Sequence, residues 1–158
     1  MVRNIVMRGA IAVVGVLVGT SSVAAAPPAD PCALLTPAQV SAALGGTVGA
    51  GKRIAGAVCQ WTQSGKAGDT LLKLDVDVVT VDRYNRMKSV TAGTVTPVAG
   101  LGDDAYYSTL KTGTLTLTTL NVRKGDAAVT IRVSGGTKPA EEYQAKEKAV
   151  AQALVAKL

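Results

Sequence analysis

Between Thr70 and Val81, Leu72, Leu74, Val76 and Val78 alternate with Lys73, Asp75 and Asp77. A period of two places the leucines and valines on one face of a strand and the charges on the other. This is the clearest period-2 pattern in the sequence, and it demands a sheet with a buried face. The rest of the chain must supply that sheet's other strands and the helices that cover it.

Other elements follow from turn and cap signals. Thr36, Pro37 and Gln39 form an N-cap, a first-turn proline and a capping box, Leu35 and Val40 stand at staple positions, and Gly45 with Gly46 ends a helix over 37–44. Strands are expected over 47–55 and 57–63 around Gly56, the second carrying Cys59 and Trp61 on one face and Val58 and Gln60 on the other. Asp82 is placed to cap a helix through Tyr84, Met87 and Val90, stopped by Gly93, and a link over 95–102 holds Pro97, Gly100 and Gly102. Three strands are expected over 105–110, 115–123 and 127–134, the last two as a hairpin across Lys124, Gly125 and Asp126. A terminal helix over 139–157 starts at Pro139 with Glu141 and Glu142 and carries Tyr143, Val150, Leu154 and Leu158 on one stripe. The reading is an α+β domain: an antiparallel sheet packed by two or three helices, laid out as two similar αβββ halves and holding one disulfide.

The N-terminus reads as a signal peptide over residues 1–25. Arg3 and Arg8 precede an apolar run from Ala10 to Val18, and Val23, Ala24, Ala25 and Ala26 supply small residues for a peptidase. Cleavage is placed after Ala25, because a cut after Ala26 would put Pro27 next to the scissile bond. The apolar run is about half of the roughly 20 residues a membrane span needs. A lipid anchor is not expected either: Ala29, Asp30 and Pro31 precede Cys32 where a lipoprotein would carry small and branched apolar residues. Residues 26–31 then form a flexible lead, and 32–158 a single domain in the periplasm or the medium, without a stable membrane anchor.

Loss of Arg3 and Arg8 lowers the formal charge of +6 by two, and the remaining Lys and Arg are scattered among acids. Nucleic acid would need a basic stripe with stacking platforms, so it is not expected as a partner. Cys32 and Cys59 are the two cysteines, and in an oxidising destination pairing is the default. A metal pair or a reactive thiol is the alternative, but a metal would want histidine and the chain has none.

No catalytic residue is assigned. Gly46 to Lys52 mimics a phosphate-binding loop, yet Arg53 stands where a hydroxyl should hold magnesium and the segment follows a helix, so no nucleotide or other cofactor is expected. Nucleophilic catalysis lacks its usual histidine base. Carboxylate chemistry could draw on Asp75 with Asp77, or on Asp103 with Asp104, but the first pair reads as a solvated strand face and the second as turn formers. Trp61 reads as packing beside the disulfide, with ligand stacking as the lesser role. Tyr106 and Tyr107 are neighbours on a strand and face opposite ways, so one is expected at the surface as a contact for a partner. The candidate contact set is Trp61, Asp103, Asp104, Tyr106 and Tyr107.

Three segments together resemble a known group: Pro31, Cys32, Ala33, Leu34, Leu35 and Thr36 with Val40, Leu44 and Gly45; Cys59, Gln60 and Trp61; and Gly100, Leu101, Gly102, Asp103, Asp104, Ala105 and Tyr106. They are similar to bacterial exported proteins, many of them actinobacterial lipoproteins, that share domain of unknown function 3558. The resemblance implies a helix-start cysteine joined to the cysteine before the tryptophan, and a Gly-Leu-Gly-Asp loop ahead of a strand. It carries no catalytic residues. The expected function is an exported, non-enzymatic binding module for an unknown protein or small ligand of the envelope. The alternatives are an inhibitor or accessory subunit of an envelope hydrolase, and a carboxylate-dependent hydrolase.

Overall fold

In the computed structural model, residues 30–65 and 71–158 are described. The expected signal peptide, most of the expected lead and residues 66–70 lie outside them. The alternating segment forms a strand at Lys73–Val79, third in chain order. The order of elements is α1 (Pro37–Leu44), β1 (Lys52–Ala55), β2 (Val58–Thr62), β3 (Lys73–Val79), α2 (Val81–Val90), β4 (Thr94–Pro97), β5 (Asp104–Thr112), β6 (Leu115–Lys124), β7 (Ala127–Ser134) and α3 (Ala140–Val155), with a short 3-10 turn at Pro31–Ala33. The strands make one sheet in the order β1-β2-β3-β7-β6-β5-β4, antiparallel throughout. It is the expected α+β fold with one disulfide, Cys32 to Cys59.

Both faces of the sheet are covered. Strand parity sends Leu74, Val76, Val129, Ile131, Val133, Leu120 and Val122 to one side, where they pack with Val40 and Leu44 of α1 and Tyr143, Val150 and Leu154 of α3. On the opposite side a smaller cluster of Val79, Tyr84, Tyr106 and Ala128 lies under α2. The second half of the chain carries four strands, not three, because the expected link over 95–102 opens with β4 at the sheet edge. Pro97, without an N–H, is tolerated at that edge.

Local chemistry explains the other departures. Helix α2 is capped by Thr80, whose hydroxyl accepts from the Arg83 amide at 3.2 Å, so Asp82 falls in the first turn, where it favours the helix dipole instead of capping it. The Thr36 capping box forms as expected, with the Gln39 amide on the Thr36 hydroxyl at 3.3 Å and the Thr36 amide on Gln39 Oε1 at 3.0 Å. The strand expected over 47–55 is broken: only Lys52–Ala55 is regular, and Val48 makes an isolated bridge with Gln63. Asp30 and Pro31 belong to the fold instead of a free lead. The Asp30 carboxylate accepts the Cys32 amide at 3.0 Å, and Pro31 is buried. That amide, with Arg53 beside it, holds the Asp30 carboxyl below the usual range.

In the loop that mimics a phosphate site, Gly51 is there for packing. A Cβ on Gly51 would stand 2.6 Å from both Cys59 Sγ and Trp61 Cε2, both immobile in the core. Gly49, two residues earlier, has nothing within 4 Å of the same position. Gly51→Ala should therefore destabilise the domain by about 1–3 kcal/mol through overpacking, and Gly49→Ala should leave it nearly unchanged. Urea unfolding of the two variants beside the parent checks both.

Candidate functional site

The face under α2 is only partly covered, and the uncovered part is polar. Register places Asp75 of β3 opposite Arg132 of β7 and Asp77 opposite Thr130, while Asn121 of β6 faces Thr130 on one side and Tyr106 of β5 on the other. Across four strands these side chains floor a groove, and Arg83, Met87 and Val90 of α2 form its wall. The groove has two lobes of about 210 Å³ each, which share Met87, Thr130 and Arg132.

In the β3 lobe Asp77 takes the Arg83 guanidinium at 3.2 Å and Asp75 takes the Gln60 amide at 2.7 Å. Burial pushes the Asp77 carboxyl up, and Arg83 partly offsets that. In the β5 lobe Arg132 is the one charged lining residue, accompanied by Ser108, Thr119, Asn121 and Thr130. Its Nε donates to the Thr119 hydroxyl at 3.3 Å, and the Thr130 hydroxyl donates to Asn121 Oδ1 at 3.1 Å.

Of the residues singled out in the sequence, Asp75 and Asp77 line this groove, whereas the expected contact set does not assemble there. Trp61 is 1% exposed in the core beside the disulfide. Neither tyrosine is at the surface: Tyr106 is 0% and Tyr107 8% exposed. They do face opposite ways, but helices cover both sides of β5. Tyr107 donates to the Gln144 carbonyl of α3 at 2.7 Å, and burial, reinforced by the Glu147 charge, pushes its hydroxyl up to about 12. Tyr106 meets Tyr84 edge to face with ring centroids 5.3 Å apart, and Lys88 Nζ lies 5.5 Å from its ring centroid. Of the expected contacts only Tyr106 borders the groove, and its hydroxyl has no hydrogen-bond partner among the described residues.

Asp103 and Asp104 serve the frame. Asp103 accepts the Gly125 amide at 2.7 Å and so ties the β6–β7 turn to the loop before β5. Asp104 binds Lys88 Nζ through both oxygens, at 2.7 and 3.0 Å, which holds its carboxyl below the usual range. Among the described residues no three of His, Cys, Asp or Glu converge as a metal site, and no helix is long and apolar enough to cross a membrane.

Sequence reasoning missed Arg132, Thr130, Asn121, Thr119 and Ser108. Their signal was present: Thr130 and Arg132 alternate with Val129, Ile131 and Val133, as Thr119 and Asn121 do with Leu120 and Val122. It also missed Glu147, which is 0% exposed on α3 at the helical spacing of Tyr143, Val150 and Leu154. Glu147 Oε1 accepts the Val133 amide and the Thr118 hydroxyl, both at 3.1 Å, just past Leu120↔Ile131, the last register pair of β6 with β7. Its Oε2 has no partner among the described residues, and Arg132, across the sheet, is the positive charge that acts on it.

The molecule is thus defined as a disulfide-bonded sheet sandwiched by helices, with one polar groove along the lesser-covered face. The chain belongs to the family described as "Protein of unknown function (DUF3558)", whose model matches residues 16–154. No curated relative and no solved structure matches it.

Burial raises the Glu147 carboxyl from its ordinary 4.5 to about 7, against the pull of the Val133 amide, the Thr118 hydroxyl and Arg132. A raised folded-state value means that Glu147 favours folding fully below about pH 4.5, and that this contribution is lost as pH rises toward 7. The loss is about 3 kcal/mol. Urea unfolding should show stability falling across this window, whereas Glu147→Gln should keep its pH 5 stability at pH 8; equal slopes in the two proteins would rule out Glu147 as the source.

Proposed function

We propose that this chain is an exported, non-enzymatic binding module and that the groove beneath α2 is its ligand seat. The observation that carries the reading is the convergence of polar side chains from β3, β7, β6 and β5 on Arg132, where the two lobes meet. Concave sites with a few placed polar groups beside an apolar wall are the usual form of small-ligand pockets. Export is supported by the charged and apolar leader and by the Cys32–Cys59 bridge, a bond that persists in oxidising compartments.

The hydrolase reading draws on Asp75 and Asp77, which share one lobe. Each already has a partner, Gln60 and Arg83, and Asp103 and Asp104 are held by Gly125 and Lys88. Carboxylates engaged in this way act as fixed acceptors, which favours binding over proton transfer. The accessory-subunit reading has two candidate contacts: Tyr107 is lost, since that side chain is packed against α3, while in the loop over 100–104 Gly100, Gly102 and Asp103 are exposed.

Amide spectra of the protein recorded against a library of small polar fragments test the seat. Hits should shift Thr119, Asn121, Thr130 and Arg132 together, and hits that cluster elsewhere would remove the groove as the site. Export predicts that intact-mass measurement on protein recovered outside the cytoplasm gives a chain starting at Ala26; an uncleaved chain would overturn it.

A further inference from the structure

Along β5 and β6 the groove-facing residues change character. Tyr106 pairs with Asn121 and Ser108 with Thr119; the next pair on the same face is Leu110 with Leu117, followed by Thr112 with Leu115. Leu110, Leu115 and Leu117 are 42%, 55% and 37% exposed, and Val90, on the α2 wall of the adjoining lobe, is 71% exposed. Four of the five large hydrophobic side chains exposed among the described residues therefore lie on one face, the fifth being Ile54 on the edge strand β1. Single exposed leucines need no explanation, but a contiguous apolar strip opening from a polar slot does. At the rise of a strand, Leu115 stands about 13 Å beyond Thr119.

The head of this path is Arg132. It is exposed, it is the one charge in the β5 lobe, and it uses Nε on Thr119, which orients the guanidinium and leaves its outer edge for a ligand. It forms no ion pair with Asp75, its cross-strand neighbour, whose Oδ1 is taken by Gln60. A planar guanidinium with free N–H groups matches a carboxylate, sulfate or phosphate oxygen pair.

We propose that the groove seats a single-chain anionic amphiphile, with its charged head on Arg132 and its alkyl chain running past Val90 and over Leu117, Leu110 and Leu115. This rests on the groove being the ligand seat and names the ligand's class. The occupant is a free amphiphile and not a bilayer surface: one guanidinium set into a groove fits one head group, while an anionic sheet of heads would also meet Asp75 and Asp77 in the adjoining lobe.

Titration of the purified protein with hexanoate, octanoate and decanoate, each below its micellar concentration, reads the proposal. Affinity should rise about fourfold for each two methylenes added, the chain being half buried on the strip. Decylammonium should bind at least tenfold more weakly than decanoate. Arg132→Met should remove that preference for the anion, and Leu117→Asp should flatten the chain-length dependence. Leu115→Asp, at the most exposed position of the strip, serves if the first aspartate variant does not fold. A flat dependence on chain length, or equal binding of anion and cation, would overturn the proposal. If fragments still shifted the Arg132 lobe, the ligand seat would survive that failure; if no probe shifted it, both would fall. Co-sedimentation with phosphatidylglycerol vesicles that Leu117→Asp abolishes would assign the strip to a bilayer and overturn the free-amphiphile reading.

Discussion

Seven consecutive register pairs, from Lys73↔Ser134 to Val79↔Ala128, join β3 to β7 and turn two separate meanders into one sheet. Without this ladder β1–β3 and β4–β7 would each be a small sheet with an open edge and too little apolar area to persist alone. With it, Val129, Ile131 and Val133 stand at the centre of the molecule beside Leu74 and Val76, and α1 and α3 have a continuous floor to pack on. The same ladder brings Asp75 and Asp77 next to Arg132 and Thr130. Core and groove are two faces of one pairing, so residues 53 and more positions apart in sequence meet by strand register alone.

The amount of cover on each face decides what the polar residues can do. Two helices and the disulfide seal the large core, where Glu147 is the one buried charge-bearing group of the described residues. Helix α2 alone lies over the other face, and at ten residues it is too short to span seven strands. What it leaves open is the row running from Gln60 through Asp75, Arg132 and Thr119 to Ser108. The coverage is asymmetric by geometry, and the polar row follows from it: its side chains bond one another, as Gln60 does Asp75 and Arg132 does Thr119, and keep their outer edges toward water.

Local signals were legible and long-range ones were not. The Thr36 capping box, the Gly45 stop, the alternation over β3, the Gly125 hairpin and the cysteine pairing each depend on residues close in sequence or on there being only two cysteines. The strand β4 escaped notice because four residues with a proline look like a linker until β5 is there to pair with them. The tyrosines were expected to divide between core and surface. That inference used strand parity correctly and failed on the second layer of cover, which no local pattern announces. Arg132 and its neighbours alternate as plainly as Asp75 and Asp77 do, but their meeting depends on the order of strands in the sheet, and one sequence does not reveal that order.

The last helix also reaches back to the first. Lys146 Nζ donates to the Leu44 carbonyl at 2.7 Å, closing the end of α1, and Lys157 Nζ donates to the Leu34 carbonyl at 2.6 Å. These bonds span 102 and 123 positions of the chain. The Leu34 and Leu44 carbonyls thus wait for lysines made long after them, and β3 waits likewise for β7. A polypeptide emerging from a ribosome cannot complete either half in passing, so folding is deferred until β7 and α3 have been made, and contacts of such separation close slowly.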